Sequence, residues 1–377
     1  MSLGLSFVIG EIKVKIVALN TSILRIPYRT PIQWGSRAGD GDDYLFLRLK
    51  TDDGIDGWAE AQETPLWSGS TARVLAQTLH EIYEPMLLDQ DPLRSERVWA
   101  NLNRIRGWGT AKALIDVALC EIQAKHAGLP CWKFLGGWTP RVPVSWLINL
   151  APLEEMLQDA HEAVERHGFR AMKVKIGRNP SGDVELVRQL RLSFGPEMRI
   201  FVDANSQYSW EEAMWVADRI AVFDVGLFED PCPLYPNERT RNLFARSPVP
   251  VMADRVVDSV EEAERYMELG AAALNLKVPS LGYRESRRIV EVAEDKGVGC
   301  VVGTSSETGL RTLVSLHFRA SLRHLDRFPA ENSFFLKLPE DLLEEPLRFV
   351  DGAVDLSENP GFGTAPDQRA MAKYRVS

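Results

Sequence analysis

The sequence predicts an α/β protein in which a (β/α) barrel follows a smaller α+β unit. Three observations predict it. Strand-like apolar runs recur at 144–150, 171–176, 199–204, 225–229, 250–254, 273–278 and 299–304. Helical patterns separate them, and the repeat of about 25 residues is the length of one βα unit. The 377-residue chain is also too long for one average domain and suits a barrel with a partner. An open doubly wound sheet is the competing architecture, but no GxGxxG turn opens the first unit.

In the first unit, Val14 to Arg25 and Tyr44 to Thr51 alternate as strands do. Asp52-Asp53-Gly54 is a turn between Leu47-Arg48-Leu49 and Ile55-Asp56-Gly57-Trp58. Thr30 to Asp43 and Gln62 to Thr71 are polar stretches that read as loops and candidate flaps. From Ala111 to Leu135, the residues Leu114, Ile115, Ala118, Leu119 and Ile122 fall at helical spacing, and Gly128 with Pro130 supplies a stop. Gly136-Gly137 ends the unit. In the barrel, Leu153, Met156, Leu157, Ala160, Ala163 and Val164 form a helical stripe closed by Gly168, with further helices expected at about 183–194, 209–222, 258–268 and 283–296. After Leu322 the rhythm fails. Asp326 to Ser377, rich in Pro and Gly, is expected to complete the eighth strand and fold back onto the first unit. The resulting division is 1–140, 141–330 and 331–377.

Composition is that of a globular protein, and the net charge of −9 argues against nucleic acid or an anionic membrane as partner. The four cysteines (Cys120, Cys131, Cys232 and Cys300) match no zinc spacing and read as buried thiols of a reducing cytoplasm. No apolar run reaches the roughly 18 residues of a membrane span. The N-terminus lacks the features of a secretory signal, and Met1-Ser2-Leu3 is open to reading as an expression scar.

Charged residues end several of the apolar runs. Lys173 and Lys175 share one face of their strand. Both faces of a parallel barrel strand are covered, so that face points into the barrel mouth. Asp203, Glu229 and Asp254 are separated by 26 and 25 residues, one βα unit each, which sets three carboxylates at the same height on adjacent strands. Three such anions repel unless a cation joins them, and an all-oxygen donor set selects Mg²⁺ over zinc. The alternative for each acid alone is a helix cap or an arginine partner. Lys277 follows the sixth run and would face Lys175 across the barrel. A salt bridge is its structural alternative. A nearby metal ion and other cations would lower its pKa and fit it to act as a base. Glu307 lies just past the seventh run, where it either favours a helix N-terminus or orients substrate. Thr304, Ser305 and Ser306 offer hydroxyls to a substrate. The histidines, His161, His167 and His317 among them, read as non-catalytic.

As a set, these residues resemble the enolase superfamily and, within it, the muconate lactonizing enzyme subgroup. The resemblance runs from Gly54-Ile55-Asp56-Gly57-Trp58-Ala59-Glu60 and Leu135-Gly136-Gly137 through Lys173-Val174-Lys175, Asp203-Ala204-Asn205, Glu229-Asp230-Pro231, Asp254 and Asn275-Leu276-Lys277-Val278. It continues in Gly303 to Gly309 and Pro360-Gly361-Phe362-Gly363. It implies a TIM-like (β/α)₇β barrel with an α+β capping domain formed by the N-terminal segment and the C-terminal tail. It also implies one Mg²⁺ per subunit, replaceable by Mn²⁺, on Asp203, Glu229 and Asp254. Lys175 and Lys277 would be the acid/base lysines, assisted by Lys173, with Asn205 contacting substrate. Departures are Arg255 where the family commonly has an acid, and serines at 305 and 306 where it commonly has a bulky apolar residue. No His-Asp base pair of the mandelate racemase kind is evident.

The reaction so implied is abstraction of the α-proton of a small carboxylate substrate through a metal-stabilised enediolate. Cycloisomerisation and racemisation or epimerisation lead, and dehydration of a sugar acid or hydroxy acid is the alternative. A DxD sequence near Asp326 is lacking, which disfavours a dipeptide epimerase. A Schiff-base aldolase needs one lysine and no metal, and a non-catalytic binding protein would not need all five charged positions. The resemblance further implies a homo-oligomer.

Overall fold

The computed structural model describes residues 14–34 and 37–376, so Met1-Ser2-Leu3 lies outside the described residues. The capping sheet is antiparallel, in the order β1 (Ile16–Trp34), β2 (Arg37–Thr51), β3 (Asp56–Gln62). The Asp52-Asp53-Gly54 turn joins β2 and β3 as expected, with Gly54 at φ 87°. Within the stretch expected as a loop, residues 30–34 and 37–43 instead belong to β1 and β2, which pair antiparallel. There Ile32 pairs with Gly39, Gln33 with Ala38 and Trp34 with Arg37. Buried Tyr28 and Ile32 anchor this end, and the Tyr28 hydroxyl donates to Ser306 Oγ at 3.3 Å. The long helix Gly109–His126 packs on β3 so closely that a Cβ at Gly57 would lie 2.1 Å from Ala118 O.

After the short β4 (Arg141–Pro143), seven parallel strands form the barrel sheet: β5 (Trp146–Ile148), β6 (Ala171–Lys175), β7 (Arg199–Asp203), β8 (Val225–Glu229), β9 (Val251–Ala253), β10 (Ala273–Leu276) and β11 (Gly299–Val302), each bonded to the next. The eighth position is filled by an extended segment at 330–331. Ala330 N donates to Pro143 O at 2.9 Å, Ser145 N to Ala330 O at 2.7 Å, and Glu331 N to Val302 O at 2.9 Å. Helices cover the outside, and local signals set their starts. Asn179 caps Pro180–Phe194, and Ser209 with Glu212 makes a capping box on Trp210–Ile220. Leu153–His167 stops at Gly168, φ 69°. The C-terminal tail returns to the cap, where Arg25 N donates to Tyr374 O and Val376 N to Ile23 O.

Candidate active site

Inside the barrel, side chains stack in layers. The lowest is apolar: Ala171, Phe201, Leu227, Met252, Ala273 and Val301, closed by Phe328. Side chains alternate along a strand, so the next inward position on each is two residues on. Those positions are Lys173, Asp203, Glu229, Asp254, Asn275 and Gly303. Lys175 and Lys277 stand one layer higher, on the second and sixth of eight strand positions and therefore on opposite sides. Register adds a detail. Asp203 pairs with Glu229, but Glu229 pairs with Met252, two residues before Asp254. Strand tilt brings Asp254 to the level of the other acids.

Lys173, buried at 2% exposure, places Nζ 2.6 Å from Glu229, 2.7 Å from Glu331 and 3.4 Å from Asp203. Lys175 Nζ donates to Asp203 Oδ2 at 2.5 Å and to Asn205 Oδ1 at 3.0 Å. Lys277 Nζ lies 2.8 Å from Asp254 and donates to Asn275 Oδ1 at 3.2 Å. Asn275 in turn donates to Glu229 at 3.1 Å and Glu331 at 3.0 Å. Asn205 adopts φ 46°, tolerable for Asn. That turn lets its backbone N–H donate to Asp203 Oδ1 at 2.7 Å. The Asp230 carboxylate accepts from the N–H groups of Asp254 and Arg255, fixing the end of β9.

These contacts set the charges. Burial alone would lower the Lys173 pKa, but Glu229, then Glu331 and Asp203, outweigh it and hold the ammonium well above its ordinary value. Burial and Asp203 push Glu229 up. At Asp203 burial is outweighed by Lys175 and Lys173, and at Asp254 by Lys277 and Lys173, so both sit below the usual carboxylate range. Among the chain's own groups, Asp254 overcomes burial and raises the Lys277 pKa, and the lowering expected from a metal ion beside it would act against this.

The acids gather around the Lys173 ammonium, and among the described residues no three His, Cys, Asp or Glu side chains converge on one point as metal ligands do. The donor set nevertheless suits a hard dication. Asp203 and Glu229 are buried and Asp254 is largely so, all three are oxygen donors, and each has a lysine ammonium as its close positive partner.

A cavity of about 560 Å³ opens above this ring. Lys173, Lys175, Asp203, Asn205, Asp254, Lys277, Thr304, Ser305 and Ser306 line it, with Gln62, Glu63 and Ser68 from the cap side and Arg255 from the barrel. Glu307 is not in the lining. It is buried, accepting from Thr304 Oγ1 at 2.6 Å and Asn332 Nδ2 at 2.8 Å, and Thr308 rather than Glu307 caps the following helix. Sequence reasoning missed Glu331, whose Ala330-Glu331-Asn332-Ser333 context has no strand-like alternation. Its only signal was an acid at the place where an eighth strand was due. Asn275 was visible in the sequence, as the inward position two before Lys277, and was not assigned a role. His317 is buried and accepts from Trp132 N at 3.0 Å, and His161 packs on Phe194. All four cysteines are buried free thiols.

Comparison with known proteins agrees with this architecture. Two family models match, "Mandelate racemase / muconate lactonizing enzyme, N-terminal domain" over residues 14–136 and "Enolase C-terminal domain-like" over 155–370. Muconate cycloisomerase 1 of Rhodococcus opacus is 30% identical over 366 residues, covering 95% of this chain and 98% of that one. L-Ala-D/L-Glu epimerase of Bacillus subtilis is 26% identical, over 93% and 96% of the two chains. A crystal structure of muconate lactonizing enzyme from Pseudomonas fluorescens, complexed with muconolactone, superposes with a TM-score of 0.90 at 27% identity, covering 97% of this chain and all of that one. With a capping sheet over a parallel barrel whose charged layer rests on an apolar plug, the chain belongs to the enolase superfamily, as an enzyme of the muconate lactonizing enzyme subgroup.

Proposed function

We propose that this protein is a Mg²⁺-dependent isomerase that removes the proton α to the carboxylate of a small acid, acting as a cycloisomerase or as a racemase or epimerase. One observation carries the reading: Lys175 and Lys277 project from opposite sides over a single ring of acids. Asp203, Glu229 and Asp254 would hold the cation, which when bound supplies Lewis-acid stabilisation to the substrate carboxylate. Lys173, fixed by Glu229 and Glu331, offers positive charge where negative charge develops on that carboxylate. Lys175 is oriented by Asp203 and Asn205, and Lys277 by Asp254 and Asn275. A proton taken by one lysine and returned by the other inverts the carbon. One lysine alone suffices to transfer the single proton of a ring closure. The relatives named as cycloisomerase and epimerase support both outcomes. Hydroxyl-bearing Ser305 and Ser306 and the Arg255 side chain in the lining favour a second reading, dehydration of a hydroxylated acid.

The test is ¹H NMR in D₂O with Mg²⁺ and a set of carboxylic acids. Loss of an α-proton signal is expected for at least one acid. Lys175→Ala and Lys277→Ala should each slow that exchange or the turnover by about 10²-fold or more. Exchange at the native rate in both variants would remove the lysines from the mechanism.

A further inference from the structure

We propose that Asp116, a carboxylate of the capping domain, is a positioning residue for Lys277. It caps the helix segment that starts just past that lysine and so fixes the turn between them. The inference deepens the function proposed above and rests on it, because it takes Lys277 as a reacting group.

Lys277 directly follows β10, and the helix Val278–Lys296 directly follows Lys277. The first turn of that helix hangs on the lysine itself. Ser280 N donates to Lys277 O at 2.8 Å, and Leu281 N donates to it at 3.1 Å. Ser280 and Leu281 both line the cavity. At Gly282 the backbone leaves helical geometry, with φ 80° and ψ 166°, and the helix restarts at Tyr283. A restart of this kind exposes N–H groups that no earlier carbonyl can take. Ordinarily the residue at the break accepts one of them through its own side chain. Gly282 has no side chain, and Ser280 Oγ is engaged by Arg311 Nη2 at 2.7 Å.

The missing acceptor comes from the other domain. Asp116, buried on the helix Gly109–His126, accepts from Arg284 N at 3.0 Å through Oδ2. Its Oδ1 lies 3.2 Å from Arg284 Nε. Arg284 reaches on to Glu96 at 2.6 Å and to Ser95 Oγ at 3.1 Å, both on the cap. Burial pushes the Asp116 carboxyl up to about 6, which leaves it ionised at neutral pH and its bonds charge-assisted. The fit is close: a Cβ on Gly282 would lie 3.0 Å from Asp116 Oδ2 and 3.2 Å from Ala113 Cα. Lys277 is therefore held at two points. Asp254 and Asn275 hold its ammonium, and Asp116 holds the backbone that follows it. A displacement of about 1 Å at a reacting group costs on the order of 10²-fold in rate, so the second point bears on the chemistry.

The test uses the full-length protein and acetic anhydride, which acetylates lysine amines. Peptide mass spectrometry reads the labelling rate of Lys277, with Lys175 as the internal reference. Asp116→Ala is expected to raise the Lys277-to-Lys175 ratio about fivefold, the weight of one hydrogen bond in a local opening. Asp116→Asn, which keeps an oxygen for the Arg284 N–H, should restore the ratio to within about twofold of native. A merely structural role would lower thermal stability and leave the ratio unchanged, and that result overturns the proposal. If Asp116→Ala does not fold, Gly282→Ala, whose Cβ would press on Asp116 Oδ2, must give the same selective rise. An unchanged ratio there overturns the proposal. α-Proton exchange in D₂O with Mg²⁺ is followed on the same set of carboxylic acids. For an acid that the native protein exchanges, folded Asp116→Ala should be slower by about tenfold or more. Exchange at the native rate overturns the proposal as well. If the native protein exchanges none of the acids, the proposed function fails, and the labelling ratio still decides whether Asp116 places Lys277.

Discussion

Lys173 is the residue on which the site's electrostatics turn. Its ammonium is within 3.4 Å of three buried carboxylates, from three different strand positions. Lys173→Met keeps the volume and removes the charge. Breaking a buried ion pair from one side costs about 3–5 kcal/mol, so thermal unfolding of this variant should shift down by several degrees. Mg²⁺ should restore part of the loss, because it replaces the missing positive charge among the same acids. Glu307 gives a pH signature instead. Burial pushes its carboxyl from 4.5 up to about 7. The folded state therefore holds the proton more tightly than the unfolded chain. The resulting stability is complete below about 4.5 and is lost as pH rises to about 7. Glu307→Gln cannot ionise and should flatten denaturant-derived stability across that window by up to about 3 kcal/mol. An unchanged slope would show that Glu307 stays ionised throughout.

At the scale of elements, β10 and β11 meet where the charged layer has no side chain. A Cβ on Gly303 would lie 1.7 Å from Asn275 Oδ1 and 2.9 Å from Lys277 Nζ. Gly303→Ala would therefore push aside the amide that links Glu229, Glu331 and Lys277. Overpacking of this kind costs about 1–3 kcal/mol. Exchange of the substrate α-proton should fall by more than about tenfold, because a displacement of about 1 Å at a reacting group is that costly. Native exchange in a folded Gly303→Ala would refute the Asn275 linkage. Lys173, Lys175, Asp203, Glu229, Asp254 and Lys277 were legible because alternation and a βα-length repeat put them at or near the ends of successive strands. Glu331 was not, because the eighth position is a short extended segment held by three backbone bonds rather than by a run of β-formers.

For the molecule as a whole, the cap and the barrel are tied at Glu60. Its carboxylate, on β3, takes the hydroxyl and N–H of Thr308 and the N–H of Arg311, so one cap residue terminates a barrel helix. Glu60→Ala would leave buried donors unpaired and should cost about 2 kcal/mol or more in urea unfolding. A loss within about 0.5 kcal/mol, the range of an ordinary surface substitution, would mean the joint is made elsewhere. The sequence by itself determined the architecture, the acid trio and the lysines, because period-two strands and βα-length spacing are local patterns that survive without coordinates. Only the tertiary structure decided that 30–34 and 37–43 belong to paired strands, that Glu307 turns away from the cavity and that Glu331 and Asn275 complete the ring. Those outcomes depend on which groups from distant segments share a buried volume, and charge–charge energies there follow distance and burial, neither of which a linear order of residues contains.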